Sequence, residues 1–267
     1  MASTTENFSE SHLDRKSLKR PDSFTIAATS FFVDVFQNTR VLMGVGGGLL
    51  LAAAGFSVWT NQVDTASRQA TGAWYEAEKA LDQEMKSFSS STGSSGVGTG
   101  GKTPLTASRE GQDFKSNYIK IDVDAQFSKG VTKLREVTEK FPKTRASFEA
   151  QMQLGSLYFD HGQFEKALEW YQKAASTAGD KLDRGTALSS VGYAQENLGK
   201  PTEALASFQK AIAVGETSLK GDLLLAIARC YEGLHDSAKA RSIYEQVSKE
   251  FTGGDYSKVA EIRKSRL

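Results

Sequence analysis

Cysteine and histidine are scarce in this chain of 267 residues, and each scarcity excludes a class of protein. The one cysteine, Cys230, cannot form a disulfide within the chain, so we interpret it as a small core residue. The three histidines, His12, His161 and His235, lie far apart without cysteine or carboxylate at metal-ligand spacing, so we predict no metal site and no cofactor. Lysine and arginine (33) nearly balance aspartate and glutamate (32), which leaves no basic surface for nucleic acid.

A pattern of small and aromatic residues occurs three times toward the C-terminus. Three pairs of small residues carry it: Gly155 and Ala167, Gly192 and Ala204, and Ala228 and Ala240. An aromatic residue follows each second small residue: Tyr171, Phe208 and Tyr244. The pattern repeats after 37 and then 36 residues, which predicts stacked helical hairpins. The small residues would let two helices approach closely, and the aromatic residues would fill the gap to the next hairpin.

Each copy joins its helices through a short turn that contains glycine: Gly162, Gly199 and Gly233. Glycine readily adopts the left-handed conformation that ends a helix. With these residues the segment 148–254 resembles the tetratricopeptide repeat (TPR) family. The resemblance implies an all-α solenoid of helical hairpins with three clear repeats, followed by a capping helix at 255–267. It also implies a protein that binds other proteins.

A fourth, degenerate repeat is predicted ahead of these three. Its two helices are predicted at 61–88 and within 117–147, because both stretches carry apolar residues at helical spacing. The segment between them, 89–116, is rich in serine, glycine and threonine. Such a composition cannot bury a core, so we predict one hairpin interrupted by a flexible insertion.

An uncharged, largely apolar run from Val41 to Asn61 predicts a transmembrane helix at 41–60. At about 1.5 Å per residue, such a helix is about 28 Å long, close to the thickness of a bilayer core. Five basic residues precede it: Arg15, Lys16, Lys19, Arg20 and Arg40. They favour a cytoplasmic N-terminus with a disordered tail at 1–23 and an amphipathic lead-in at 24–40. The repeats would then lie on the periplasmic side of a bacterial inner (plasma) membrane.

Other interpretations of this run remain open. The small residues from Ala52 to Gly55 offer a signal-peptidase site near Ala54, and cleavage would release a soluble envelope protein for cell division or outer-membrane assembly. The run would alternatively be a buried helix of a soluble protein. Gly44, Gly48 and Ala52 form a stripe that either packs against another transmembrane helix or simply reflects the small residues common in membrane spans.

Residues Gly96 to Thr103 match the P-loop pattern letter for letter. A phosphate-binding loop requires a strand before it and a helix after it. Here a tract of serine, threonine and glycine precedes the motif and Pro104 follows it, so an ATP-binding protein is only an alternative. No catalytic triad or carboxylate pair stands out, and we predict no enzyme and no small-molecule substrate.

The TPR resemblance implies a concave partner-binding groove lined by the first helix of each pair. The family's groove positions transfer to Met152, Ser156, Phe159 and Asp160, to Ser189, Tyr193, Glu196 and Asn197, and to Leu225, Arg229 and Glu232. Their mixture of polar and apolar groups suits an extended peptide. Several of these residues would alternatively pack within the fold or face water.

A cytoplasmic tail, one span and periplasmic repeats together resemble the ancillary subunit of the Sec translocon, of the YfgM type. That resemblance implies a membrane-anchored scaffold or adaptor that assists the translocon and periplasmic chaperones. Its partners would be translocon or chaperone subunits and client polypeptides.

Overall fold

The computed structural model describes residues 39–92, 120–215 and 219–267, with side chains from Gly47 to Ser91 in the first range. Regular secondary structure in these ranges is α-helical, which confirms the predicted all-α class. The helices of the described ranges are α1 (Thr39–Thr92), α2 (Val123–Gln126), α3 (Ser128–Lys140), α4 (Arg145–Asp160), α5 (Phe164–Thr177), α6 (Lys181–Asn197), α7 (Pro201–Ala213), α8 (Lys220–Gly233), α9 (Ser237–Glu250) and α10 (Asp255–Lys264). The predicted tail at 1–23, most of the lead-in at 24–40 and most of the insertion at 89–116 lie outside the described residues.

The chain divides between Val63 and Asp64 into two compact units, and α1 contributes to both. In the first unit the large apolar side chains of α1 are exposed, by fractions from 49% at Val63 to 77% at Leu51. Among the described residues, no helix contains a stretch long and apolar enough to cross a membrane. The side chains of residues 41–46 lie outside those described, so the transmembrane helix at 41–60 stays a prediction.

The second unit contains three complete helical hairpins followed by α10. Hairpin 1 consists of α4 and α5, hairpin 2 of α6 and α7, and hairpin 3 of α8 and α9. Local sequence starts several of these helices, because the side-chain oxygens of Thr144, Asp180 and Asp236 accept backbone N–H bonds at the first turns of α4, α6 and α9. Each such cap contributes about 1 kcal/mol to the stability of the helix. Pro201 is the first residue of α7, where a backbone N–H would have no partner within the helix, so the missing N–H of proline costs no hydrogen bond.

Glycine allows the two helices of a hairpin to pack closely. A Cβ atom added to Gly155 would lie 2.4 Å from the ring of Tyr171, and one added to Gly192 would lie 2.5 Å from the ring of Phe208. The sequence prediction assigned these rings to the gap between hairpins. In the structure each ring packs on the glycine of its own hairpin, so the absent Cβ sets the distance between the two helices.

The turns follow the predicted glycine pattern in two hairpins and depart from it in the third. Gly162 and Gly199 have left-handed φ angles of 72° and 71°. Gly233 is the last residue of α8, and His235 adopts the left-handed φ of 59° instead. The prediction for Gly233 was therefore wrong. His235 occupies the turn position that Gly162 and Gly199 hold, so the repeated geometry imposes this conformation on a residue that rarely adopts it.

The degenerate hairpin pairs the C-terminal part of α1 with α3. Here the glycine is on the second helix, since a Cβ on Gly130 would lie 2.7 Å from Leu81 of α1. The Glu84 carboxylate accepts the backbone N–H groups of Lys129 (3.1 Å) and Gly130 (2.9 Å) at the start of α3. A distant residue thus caps α3, whose own Phe127 makes no side-chain cap. This hairpin shares one apolar core with α4, α5 and α6.

Candidate partner-binding groove

An open pocket of about 300 Å³ lies between α1 and α4, the first helices of the degenerate hairpin and of hairpin 1. We call it the α1–α4 pocket. From α1 it is lined by Tyr75, Glu78, Lys79, Leu81, Asp82 and Met85. From α4 it is lined by Gln153, Ser156, Leu157 and Asp160. Two of the predicted groove residues, Ser156 and Asp160, therefore line an accessible cavity.

Asp160 is the electrostatically unusual group of this pocket. Desolvation by the surrounding protein raises the pKa of its carboxyl to about 6, although the residue remains exposed at the rim. Asp160 makes no salt bridge with the described residues. Its charged form therefore lacks the compensation that a nearby cation would provide.

The other predicted groove residues of hairpin 1 pack within the fold. Met152 is partly buried against the cluster formed by Phe148 and its neighbours. The ring of Phe159 lies 5.2 Å from that of Phe164 and 6.5 Å from that of Tyr171, measured between centroids. Both side chains therefore support the shape of the groove.

In hairpin 2 the predicted residues make mainly internal contacts. Ser189 is fully buried, and its hydroxyl donates to the backbone carbonyl of Thr186 at 2.7 Å. The Asn197 amide donates to the carbonyl of Tyr193 at 2.9 Å. The Tyr193 ring packs edge-on against Phe208 at 5.0 Å. Ser189 consequently presents no surface to a partner, because it is enclosed by its own helix and the neighbouring ones.

Ion pairs connect hairpin 2 to hairpin 3 and hairpin 3 to α10. The Arg229 guanidinium donates two hydrogen bonds, at 2.7 and 2.9 Å, to the carboxylate of Glu196. Glu232 accepts from the Tyr244 hydroxyl at 2.8 Å and from Arg263 at 3.2 Å. Leu225 is only 4% exposed, so it too presents no surface to a partner. Glu196, Arg229 and Glu232 thus join successive helices, whereas Ser156 and Asp160 line the open α1–α4 pocket.

The α1 side of the pocket was not predicted from the sequence. Glu78, Leu81 and Met85 precede Ser156 by some seventy residues, and no periodic signal connects the two segments. The helix itself was predicted, but the packing that brings it beside α4 depends on contacts such as Leu81 with Gly130.

Other residues weighed in the sequence analysis lie away from the pocket. Cys230 is buried, and burial raises the pKa of its thiol to about 12, as suits a core residue. His161 packs against the rings of Phe127 (5.6 Å) and Phe88 (6.4 Å). The P-loop-like residues 96–103 and His12 lie outside the described residues.

Two models of the tetratricopeptide repeat family match the chain, at residues 147–217 and 222–253. The hairpins are tetratricopeptide repeats. Together these matches extend from hairpin 1 through hairpin 3, the part of the chain where the spacing of small and aromatic residues predicted the repeats. No curated protein matches the chain significantly.

Several solved structures resemble part of this chain. MamA is 21% identical, with a TM-score of 0.40 over 49% of this chain and 75% of its own. The Arabidopsis OM64 TPR domain is 19% identical, with a TM-score of 0.39 over 45% of this chain and 94% of its own. TPR-like repeats of a Podosopora anserina putative kinesin light chain are 17% identical, with a TM-score of 0.45 over 54% of this chain and 77% of theirs.

TPR domains are protein-interaction scaffolds and are typically non-catalytic. Their stacked hairpins create an extended concave surface for a partner. In this chain the described part of that surface combines the α1–α4 pocket with ion pairs between successive first helices. This surface is therefore suited to binding another protein.

Proposed function

We propose that this TPR protein is a scaffold held at a bacterial inner membrane by one helix, where it binds extended segments of other proteins on the periplasmic side. The observation that carries the membrane anchor is the exposure of apolar side chains on α1. Leu50 and Leu51 are 74% and 77% exposed, and Phe56 and Trp59 are 65% and 59% exposed. A contiguous apolar surface of this kind is typical of a membrane or protein contact.

The neighbouring sequence supports insertion into lipid. The uncharged run begins at Val41, ahead of the described side chains, and continues to Asn61. Basic residues concentrate before the run, and this bias favours a cytoplasmic N-terminus with the TPR domain on the opposite side. Because the chain resembles the YfgM type, its proposed partners are translocon or chaperone subunits and their client polypeptides.

The α1–α4 pocket supports the binding of an extended protein segment. Ser156 and Asp160 line the α1–α4 pocket, while Glu196 and Arg229 bond to each other farther along the solenoid. An extended peptide would therefore find its side-chain pocket near hairpin 1. The ion pair between Glu196 and Arg229 would fix the orientation of hairpin 2 relative to hairpin 3.

Alkaline carbonate extraction of bacterial membranes tests the anchor. We expect the full-length chain in the pellet, and we expect Leu50→Arg with Leu51→Arg to move it to the supernatant, because charge opposes burial in lipid. Leu182→Arg is the matched control, since Leu182 is 55% exposed on α6 of the TPR domain. A wild-type chain that is extracted intact would refute the anchor, and one that begins near Gly55 would support the cleaved envelope protein instead.

Photo-crosslinking in intact cells tests the binding surface. A photoreactive residue at Ser156 should form adducts with other polypeptides, because Ser156 is exposed within the groove. The same residue at Gln209, exposed on α7, the second helix of its hairpin, is the control. Equal adduct formation from both positions, or none from Ser156, would contradict a groove-bound partner.

A further inference from the structure

The α1–α4 pocket has a chemical character that narrows the kind of partner it fits. Three carboxylates belong to its polar lining, those of Glu78, Asp82 and Asp160, and one cation, Lys79, lies beside them. Carboxylates in a pocket with partly apolar walls favour a ligand that supplies charged N–H groups.

We propose that this pocket receives one arginine or lysine side chain from an extended segment of a partner protein. The proposal rests on the scaffold function and adds the chemistry that selects the bound segment. The volume of the α1–α4 pocket, about 300 Å³, is at the low end of the range for ligand pockets, which suits a single long side chain.

The charges around the pocket leave an excess of negative charge. Asp82 forms an ion pair with Lys86 on the same helix at 2.5 Å, so this carboxylate is partly compensated. Lys79 is the lining cation, and it is exposed with a flexible stem that can extend into water. Glu78 and Asp160 remain as the carboxylates that a ligand cation would approach.

The apolar walls match the rest of a basic side chain. Leu81, Met85 and Leu157 would contact the methylene groups of an arginine or lysine whose charged end reaches the carboxylates. Tyr75 is 61% exposed at the pocket, and its ring offers a cation–π contact. An acidic side chain would meet repulsion from the same carboxylates.

The pocket also makes binding depend on pH. Desolvation raises the pKa of Asp160 to about 6, so the carboxyl loses its charge as the pH falls through that value. The titratable groups that face it are Tyr75, Glu78, Lys79 and Asp82 on α1 and Tyr171 on α5. Burial and neighbouring charge raise the pKa of Tyr171, so it stays neutral in this range. A cation stabilises the ionised form of Asp160, and its affinity should therefore fall below about pH 6.

Fluorescence anisotropy with two labelled peptides tests the proposal on the full chain in neutral detergent. The probes are Gly-Ser-Leu-Arg-Leu-Ser-Gly and the same peptide with citrulline, which keeps the shape of arginine without its charge. At about pH 7.5 the arginine peptide should bind at least tenfold more tightly, and this preference should shrink by about pH 5. Equal affinity for the two peptides, or no binding of either, would overturn the proposal.

Variants locate the effect in the pocket. Asp160→Asn with Glu78→Gln should weaken the arginine peptide to about the level of the citrulline peptide. Glu139→Gln, at an exposed position on α3, should leave both affinities unchanged. Circular dichroism melting confirms that each variant is folded. An unaltered preference for arginine in the double variant would place the basic site elsewhere and overturn this assignment.

The crosslinking experiment separates this proposal from the scaffold function. Groove-specific adducts from Ser156 together with equal peptide affinities would refute the basic-side-chain pocket alone. If the adducts and the arginine preference were both absent, the scaffold function in this groove would fail as well.

Discussion

Replacement of Gly192 by alanine tests how glycine sets the spacing of a hairpin. A Cβ atom at this position would lie 2.5, 2.6 and 2.8 Å from three ring atoms of Phe208. Phe208 is fully buried, and its ring also packs edge-on against Tyr193 at 5.0 Å. The ring has no open space into which it can move, so α6 and α7 must separate.

The expected cost follows from two opposing effects. Overpacking of a core by one methyl group costs about 1–3 kcal/mol, whereas glycine to alanine inside a helix gains about 1 kcal/mol. We therefore expect Gly192→Ala to lower the free energy of unfolding by up to about 2 kcal/mol. Gly72→Ala is the matched control, because a Cβ there meets nothing within 4 Å and only the helix gain of about 1 kcal/mol remains.

Equilibrium urea unfolding followed by far-ultraviolet circular dichroism measures both variants in the same neutral detergent. Phe208→Leu in the Gly192→Ala background removes ring atoms that would contact the new methyl group. The two substitutions should therefore cost less together than the sum of their separate costs. A Gly192→Ala protein as stable as Gly72→Ala would refute the argument that this glycine is required for close packing.

Three further changes have defined outcomes. His235→Gly should raise the free energy of unfolding by about 0.5–1 kcal/mol, because glycine tolerates the left-handed φ of 59° that histidine resists, and a loss of stability in urea unfolding would contradict this. Glu84→Ala should cost about 1–2 kcal/mol through the lost cap of α3, and an unchanged thermal melt would contradict it. Asp160→Asn should stabilise the fold above about pH 6 by less than about 1 kcal/mol, since Asp160 is exposed and partly screened. The raised pKa makes the native carboxyl destabilising as pH rises from about 4 to about 6, so the gain should vanish near pH 4 in melts over that range.

The TPR resemblance implied two of the residues that line the pocket. Ser156 and Asp160 line the pocket as the family's groove positions implied. Tyr193 and Arg229 occupy the position of Ser156 in the later repeats, but Tyr193 packs against Phe208 and Arg229 bonds to Glu196. A repeat position specifies which helix face a residue is on, but the curvature and packing of neighbouring hairpins decide how much of that face is open.

The sequence by itself determined the helical hairpins, because close helix packing requires a small residue at a fixed place in each copy, such as Gly155 and Gly192, and helix starts require local caps such as Thr144. These are short-range requirements, and they leave a periodic record in the chain. Only the tertiary structure decided the bond between Glu196 and Arg229, 33 residues apart, and the meeting of α1 with α4. Side chains from distant segments leave no spacing signal, since their contact depends on how the whole solenoid stacks.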